Sequence, residues 1–162
     1  MITRRSLLTF TMSVLAGAAI PLRRAVAASA TFAVTLTDEQ WHRRLSDAQY
    51  AVLRESATEH PYTSPLLKEH RRGEFLCAGC DQALFASETK FESYTGWPSF
   101  WRPLPHAVGT DTDLSLGMER TAVHCSQCGG HLGHVFDDGP PPTGMRYCIN
   151  GLALKFRSAA AP

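Results

Sequence analysis

The pattern of hydrophobic and polar positions differs between the two halves of the chain. Residues 31–36 (TFAVTL) form a short apolar run that predicts a spacer or an edge strand. Two short helices are predicted next, because TDEQ at 37–40 and SDAQ at 46–49 both fit a capping box. In that motif a hydroxyl and a Gln side chain satisfy free N–H groups at a helix start. The second helix is expected to pack on the main body through Tyr50, Leu53 and Ala57, and to end at His60-Pro61.

From Glu74 onward, short apolar or aromatic runs are separated by Gly, Pro, Asp and Thr. This punctuation is typical of β-strands and turns. The same region has no long amphipathic pattern that would supply the helices of a βαβ array. The sequence therefore predicts a mainly β domain with short helices before it.

The first thirty residues have the layout of an export signal. A basic start is followed by an apolar stretch at 7–20 and by A-x-A patterns at 25–27 and 28–30. The pair Arg4-Arg5 resembles a twin-arginine signal. A permanent membrane anchor is the weaker alternative, because 14 apolar positions fall short of the roughly 20 that cross a bilayer. We expect residues 1–30 to be a twin-arginine-type signal peptide and 31–162 to be a single domain exported to a bacterial periplasm.

The charge balance changes once this segment is set aside. The chain has 16 Lys+Arg and 15 Asp+Glu, and residues 1–30 contain four arginines and no acid. The remainder is therefore mildly acidic, with 12 basic and 15 acidic residues. This balance argues against a nucleic-acid partner, since such domains usually have a basic surplus.

Four of the five cysteines form two C-x2-C pairs, and a tetrahedral zinc site is the first interpretation. Four sulfur ligands leave no open coordination position, so such a zinc is structural. Two alternatives remain open from the residues alone, namely a disulfide within each pair and a thioredoxin-like redox pair. The predicted metal ligands are Cys77, Cys80, Cys125 and Cys128.

The fifth cysteine, Cys148, is either an inert buried thiol or a reactive one. Strand periodicity in RYCINGLALKF at 146–156 places Arg146, Cys148 and Asn150 on one face. A guanidinium beside a thiol favours the thiolate, which is the nucleophile. The same strand is expected to continue this face into the core through Leu152, Leu154 and Phe156.

Two further motifs contain groups suited to catalysis. HLGHVFDDG at 131–139 contains two histidines and two aspartates. These side chains are either ordinary hydrogen-bonded groups, or ligands of a second metal site, or a histidine proton donor that is oriented by a carboxylate. In SYTGWPSFW at 93–101 the aromatic residues are either plain core or, through Gly96 and Pro98, a turn that presents Trp97 to a surface pocket.

Together, GWPSF at 96–100, HLGHVFDDGP at 131–140, RYCIN at 146–150 and the two C-x2-C pairs resemble the methionine-R-sulfoxide reductases, from about Trp41 to Phe156. The resemblance implies two antiparallel sheets in a tent- or barrel-like arrangement, peripheral helices and a zinc held by four cysteines. It implies a reaction in which a cysteine attacks the sulfoxide sulfur, a histidine protonates the oxygen with help from an aspartate, and a sulfenic acid forms. The implied catalytic residues are Cys148, His134, Asp138, Arg146 and Asn150, and the implied substrate-binding residues are Trp97, His131 and Phe136.

The chain departs from that family at two positions. Thr95 stands where many relatives have a resolving cysteine, so we expect a one-cysteine cycle with a small thiol or a thioredoxin-like partner as reductant. Gly151 stands where relatives often have serine. The substrate is expected to be methionine sulfoxide, free or in oxidised proteins. The rival interpretation is a β binding module that is held together by zinc and has no catalytic turnover. A third possibility is a different thiol enzyme such as a hydrolase, but the sequence has no distinctive nucleophile turn for one.

Overall fold

The computed structural model describes residues 32–115 and 117–160. The export-signal prediction for residues 1–30 lies outside these ranges. No helix within them is both long and apolar enough to cross a bilayer. Residues 32–37 form no strand. The Val34 N–H donates to the Gln127 carbonyl at 2.9 Å, so this segment is a spacer that rests on the domain.

Two short helices begin the domain, α1 at Asp38–Arg44 and α2 at Asp47–Glu55. Both predicted capping boxes are confirmed, since Thr37 and Ser46 each exchange side-chain and backbone hydrogen bonds with the Gln three residues later. The predicted end of the second helix is wrong. Helix α2 ends at Glu55 because Ser56 adopts a left-handed conformation, φ 59°, before Pro61 is reached.

Within the described ranges, nine strands follow the helices and form two sheets in which every neighbouring pair is antiparallel. The larger sheet has the order β3-β4-β8-β7-β6-β5, and the smaller one has the order β2-β1-β9. This confirms the predicted fold class. The strands are β1 Gly73–Cys77, β2 Ala83–Ala86, β3 Lys90–Phe91, β4 Ser99–Phe100, β5 Val108–Asp113, β6 Arg120–Cys125, β7 His131–Phe136, β8 Arg146–Ile149 and β9 Leu154–Ser158.

The hydrophobic core lies where the two sheets face each other. Phe75 and Phe85 from the small sheet contact Phe100 from the large one, with ring centroids 4.9 and 4.3 Å apart. All three rings are fully buried, and Trp41 of α1 is buried in the same cluster. Burial of this aromatic surface is the main stabilising term that joins the sheets.

The continuous strand predicted at 146–156 is broken in the middle. Strand β8 ends at Ile149, a 3-10 turn occupies Gly151–Ala153, and β9 belongs to the other sheet. The Gly151 and Leu152 N–H groups donate to the Glu59 carboxylate instead of to a neighbouring strand. The core side of β8 is the Ile149 side, which is fully buried, so Cys148 points to the opposite face.

Candidate active site and metal centre

The four paired cysteines come together at one point. Their sulfur atoms all lie within 4.8 Å of one another. The Cys77 and Cys128 sulfurs are 3.7 Å apart and the Cys80 and Cys125 sulfurs are 3.5 Å apart. A tetrahedron with metal–sulfur bonds of about 2.3 Å has edges of about 3.8 Å, so the cluster has the size that a zinc ion requires.

Both C-x2-C pairs adopt the same turn. The Asp81 N–H donates to the Cys77 carbonyl, and the Gly129 N–H donates to the Cys125 carbonyl, each at 2.9 Å. Asp81 and Gly129 occupy equivalent places and both are left-handed, with φ of 63° and 67°. The disulfide alternative does not fit these residues, because a disulfide requires sulfurs about 2.05 Å apart and every cysteine is a free thiol.

Cys148 lies in the large sheet between strands β4 and β7, outside the four-cysteine cluster. Ser99 of β4 and His134 of β7 are its direct cross-strand partners. Its face of the sheet borders a small cavity of about 120 Å³. The cavity is lined by Thr58, Trp97, Arg120, Gly133, His134, Phe136, Cys148 and Asn150.

The surroundings of Cys148 favour a thiol over a thiolate. Burial raises the pKa of Cys148 above its ordinary value, while the Thr95 hydroxyl and the Arg146 guanidinium lower it by smaller amounts. Arg146 therefore lowers the pKa of Cys148, as expected, but burial raises this pKa by more. Arg146 Nε and Nη2, which form one edge of the guanidinium, each donate to an Asp138 carboxylate oxygen at 2.8 Å, and the guanidinium carbon lies 4.4 Å from the Phe136 ring centre.

His134 is paired with a carboxylate that the sequence analysis missed. Its Nε2 lies 2.7 Å from Asp113 Oδ2, and Arg120 donates to the same oxygen at 2.6 Å. Hydrogen bonds from Ser115, followed by that from His134, hold the pKa of Asp113 well below its usual range. An ionised Asp113 fixes the neutral tautomer with hydrogen on Nε2 and leaves Nδ1 free to accept a proton.

The expected pairing of His134 with Asp138 is corrected by this contact. Asp138 lies beyond the end of β7 and binds Arg146, with its side chain 59% exposed. Asp113 comes from the far end of β5, two strands away, and is 21 residues from His134. No local motif joins the two residues, so sequence spacing contains no signal for the pair.

His131 is buried beside the cavity rather than in its wall. It lines an adjoining cleft of about 530 Å³ that shares Thr58, Arg120 and His134 with the cavity. Burial, followed by the charge of His134, lowers the pKa of His131 to about 4, so this ring is neutral at neutral pH. Within the described ranges, its Nε2 has no hydrogen-bond partner.

Trp97 and Asn150 are both held by Glu59, a second residue that the sequence analysis missed. The indole Nε1 donates to the Glu59 carbonyl at 3.1 Å, and the Glu59 N–H donates to the Asn150 side-chain oxygen at 3.0 Å. The Asn150 amide also donates to the Leu132 carbonyl at 3.1 Å. The amide oxygen and one amide N–H are thus engaged in fixing the end of β8, while Asn150 also lines the cavity.

Comparison with known proteins agrees with this geometry. A family model described as the SelR domain matches residues 45–158. The chain is 55% identical over 123 residues to "Peptide methionine sulfoxide reductase MsrB" of Bradyrhizobium diazoefficiens, covering 75% of this chain and 88% of the relative. Identity is 50% to the proteins of the same name from Leptospira interrogans, covering 78% of this chain and 97% of that relative, and from Agrobacterium fabrum, covering 76% and 92%. The resemblance inferred from the motifs is confirmed, and the chain belongs to the SelR-domain family of methionine sulfoxide reductases.

Proposed function

We propose that this protein reduces the R epimer of methionine sulfoxide, free or within oxidised proteins, with Cys148 as the nucleophile. The observation that carries the proposal is a cysteine outside the four-cysteine cluster, bordering a cavity with an indole wall and a histidine–carboxylate pair. The relatives named as peptide methionine sulfoxide reductases support the same reaction. A binding module without turnover is not favoured, because it has no use for the partly buried His134–Asp113 pair.

The first step transfers oxygen from the substrate sulfur to the enzyme sulfur. Neutral His134 takes the thiol proton at Nδ1, and Asp113 stabilises the imidazolium that results. The Cys148 thiolate attacks the sulfoxide sulfur while the imidazolium returns the proton to the sulfoxide oxygen. The oxygen then passes to Cys148, so that methionine leaves reduced and Cys148 becomes a sulfenic acid.

The second step needs an external thiol. Condensation of the sulfenic acid with that thiol forms a mixed disulfide and releases water, and a second thiol then releases Cys148 as a thiol. An internal resolving cysteine is not available, because Thr95 stands beside Cys148 and the other four thiols form the metal cluster. We infer a one-cysteine cycle with a small thiol or a thioredoxin-like protein as reductant.

We assign the four-cysteine cluster to structural zinc. Cys77, Cys80, Cys125 and Cys128 are the ligands, and their number leaves no coordination position for substrate. When bound, the ion would crosslink the segments that contain the two turns, with no part in the reaction.

Export to a bacterial periplasm by the twin-arginine route is also part of the proposal. It is supported by the sequence of residues 1–30 and by the chemistry of the cluster, since folding before export lets zinc occupy the thiolates in a reducing compartment. N-terminal sequencing of the periplasmic protein is expected to give a start near Ala28 or Thr31. A start at Met1 would refute the signal.

An assay of the separate sulfoxide epimers with dithiothreitol as reductant tests the activity. We expect turnover of the R epimer only, and none with Cys148→Ser. Zinc-loaded Cys148→Ser also serves as the folding control. Equal turnover of both epimers, or normal turnover by Cys148→Ser, would contradict the assignment.

Removal of the proton donor gives a second test. His134→Ala is expected to slow the single-turnover rate by about 10² to 10⁴, the usual contribution of a general acid. The neighbouring, partly buried His124 of strand β6 binds the exposed Asp111 and provides the matched control, His124→Ala, which is expected to keep the rate within a few-fold. Equal effects of the two changes would refute the role of His134.

A further inference from the structure

Three hydroxyl groups form a connected chain that ends at the Cys148 sulfur. Thr95 Oγ1 lies 3.8 Å from Cys148 Sγ and 2.8 Å from Ser93 Oγ. Ser93 Oγ lies 2.7 Å from Ser99 Oγ, which donates to the Trp97 carbonyl at 3.2 Å. The two hydroxyl–hydroxyl distances are those of ordinary O–H···O bonds, and the contact with sulfur is a long one.

The chain has one consistent direction when Cys148 is a thiol. Each hydroxyl has a single hydrogen to donate and lone pairs with which it accepts. With Ser99 donating to the Trp97 carbonyl, Ser93 donates to Ser99 and Thr95 donates to Ser93. The Thr95 oxygen is then left to accept from the Cys148 S–H.

The opposite direction suits a thiolate. If all three hydroxyls rotate, Ser99 donates to Ser93, Ser93 donates to Thr95, and Thr95 donates to the charged sulfur. The rotation gives up only the bond from Ser99 to the Trp97 carbonyl, which at 3.2 Å is the weakest of the oxygen–oxygen contacts. In exchange, the sulfur gains a charge-assisted bond, and such bonds are about twice as strong as neutral ones.

We propose that the chain of Ser93, Thr95 and Ser99 stabilises the Cys148 thiolate by reversing its direction, with Thr95 as a catalytic residue and the two serines as positioning residues. The chain gains and loses no proton, because its hydroxyls only rotate. The thiol proton leaves on the other side of the sulfur, toward His134. This inference rests on the proposed role of Cys148. It gives a function to Thr95, which stands where many relatives have the resolving cysteine.

Other groups also act on the sulfur, since the Arg146 guanidinium and the Ser99 hydroxyl lower the pKa of Cys148 as the Thr95 hydroxyl does. Arg146 is tied to Asp138 by two hydrogen bonds. His134 and Arg120 both bind Asp113. The buried hydroxyl of Ser99, across from Cys148 on β4, acts on the sulfur and is also joined to Thr95 through Ser93.

The rate of Cys148 alkylation by iodoacetamide as a function of pH tests the proposal without requiring turnover. The zinc-loaded full chain is used, and mass spectrometry follows the peptide that contains Cys148. Thr95→Val removes the hydroxyl at constant shape. We expect it to raise the pH midpoint of alkylation by about one unit and to slow alkylation at neutral pH about tenfold.

Two further variants separate the chain from a simple packing effect. Thr95→Ser keeps the hydroxyl and is expected to restore the wild-type midpoint. Ser93→Ala leaves Thr95 in place but interrupts the chain, and is expected to raise the midpoint by a smaller amount. A wild-type midpoint in Thr95→Val, or a raised one in Thr95→Ser, overturns the role of Thr95, and a wild-type midpoint in Ser93→Ala overturns the chain.

Failure of the proposed function would be seen in a different measurement. Sulfoxide reduction is measured on the same samples with dithiothreitol. If the wild-type protein reduces neither epimer while the variants still show the expected shifts of the alkylation midpoint, the proposed activity is refuted. The stabilisation of the Cys148 thiolate by the hydroxyl chain is then supported independently of that activity.

Discussion

At the scale of single residues, the site favours the protonated form of Cys148, the proposed nucleophile. Burial raises the pKa of Cys148 more than Thr95 and Arg146 lower it. Oxidation of cysteine follows thiolate character and exposure, so a partly buried, protonated thiol reacts slowly with oxidants other than the substrate. In the proposed reaction, deprotonation is then a step of its own, which we assign to the His134–Asp113 pair.

Asp113 is therefore expected to matter for rate more than for folding. Asp113→Asn removes the charge that stabilises an imidazolium at His134, and we expect the single-turnover rate to fall by about 10²-fold, a large part of the contribution of a general acid. The matched control is Asp111→Asn, two residues earlier on β5, where the carboxylate is exposed and binds His124. A similar loss of rate in both variants would mean that Asp113 affects the reaction only by maintaining the structure of strand β5.

Glu59 predicts a pH dependence of stability. Burial raises the pKa of its carboxyl, and the N–H groups of Gly151 and Leu152 lower it by less. A raised folded-state pKa stabilises the fold below the unfolded pKa, about 4.3, and this contribution is lost as the pH rises through the folded value. We expect the free energy of unfolding of Glu59→Gln, relative to wild type, to increase from pH 4 to pH 7.

Urea unfolding at several pH values measures this difference. Glu55→Gln, at the exposed end of α2, is the control and is expected to show no such trend relative to wild type. A relative stability of Glu59→Gln that falls with pH would show that the two N–H donors outweigh burial.

At the scale of secondary structure elements, local signals were predictable and long-range partners were not. The capping boxes of α1 and α2, the β character after Glu74 and the four-cysteine cluster all follow from patterns within a few residues. The break after Ile149 was missed because alternation continues through it. The break is made by Glu59, 92 residues away in sequence, whose carboxylate binds the turn. The Asp113–His134 pair was missed for the same reason.

A contact with Ser64, which is distant in sequence, limits the size of the side chain that position 151 can hold. A Cβ at this position would overlap the hydroxyl and Cβ of Ser64. Gly151→Ser is therefore expected to destabilise the protein by about 1 to 3 kcal/mol, the range for overpacking. Ser64→Gly alone is expected to cost a few tenths of a kcal/mol, since Ser64 caps the 3-10 turn at Pro65–Lys68.

A double-mutant cycle decides whether the two positions compete for one space. The double variant Ser64→Gly/Gly151→Ser is expected to recover most of the loss, so that the coupling energy exceeds about 0.5 kcal/mol. Additive losses in urea unfolding would show that Gly151 is needed for its backbone rather than for the space.

At the scale of the whole molecule, the four-cysteine cluster joins the same two sheets that the aromatic core packs together. Cys77 ends β1 of the small sheet, and Cys125 ends β6 of the large one. Helix α2 is attached at the same place, because Arg54 donates to the Cys128 carbonyl at 3.0 Å. A metal bound by these cysteines would crosslink the two sheets beside this helix contact, and part of its binding free energy would be folding free energy.

The five cysteines therefore divide into two classes that stability measurements can separate. Cys80→Ser is expected to abolish zinc binding, read by metal analysis, and to cost about 3 kcal/mol or more. At roughly 3 °C per kcal/mol, this lowers Tm by about 10 °C. Cys148→Ser, the matched control, is expected to keep one zinc per chain and a Tm within a few degrees of wild type, because its sulfur lies outside the cluster. A loss of zinc in Cys148→Ser, or full retention of zinc and Tm in Cys80→Ser, would contradict this division, and with it the separation of a structural centre from a reacting thiol.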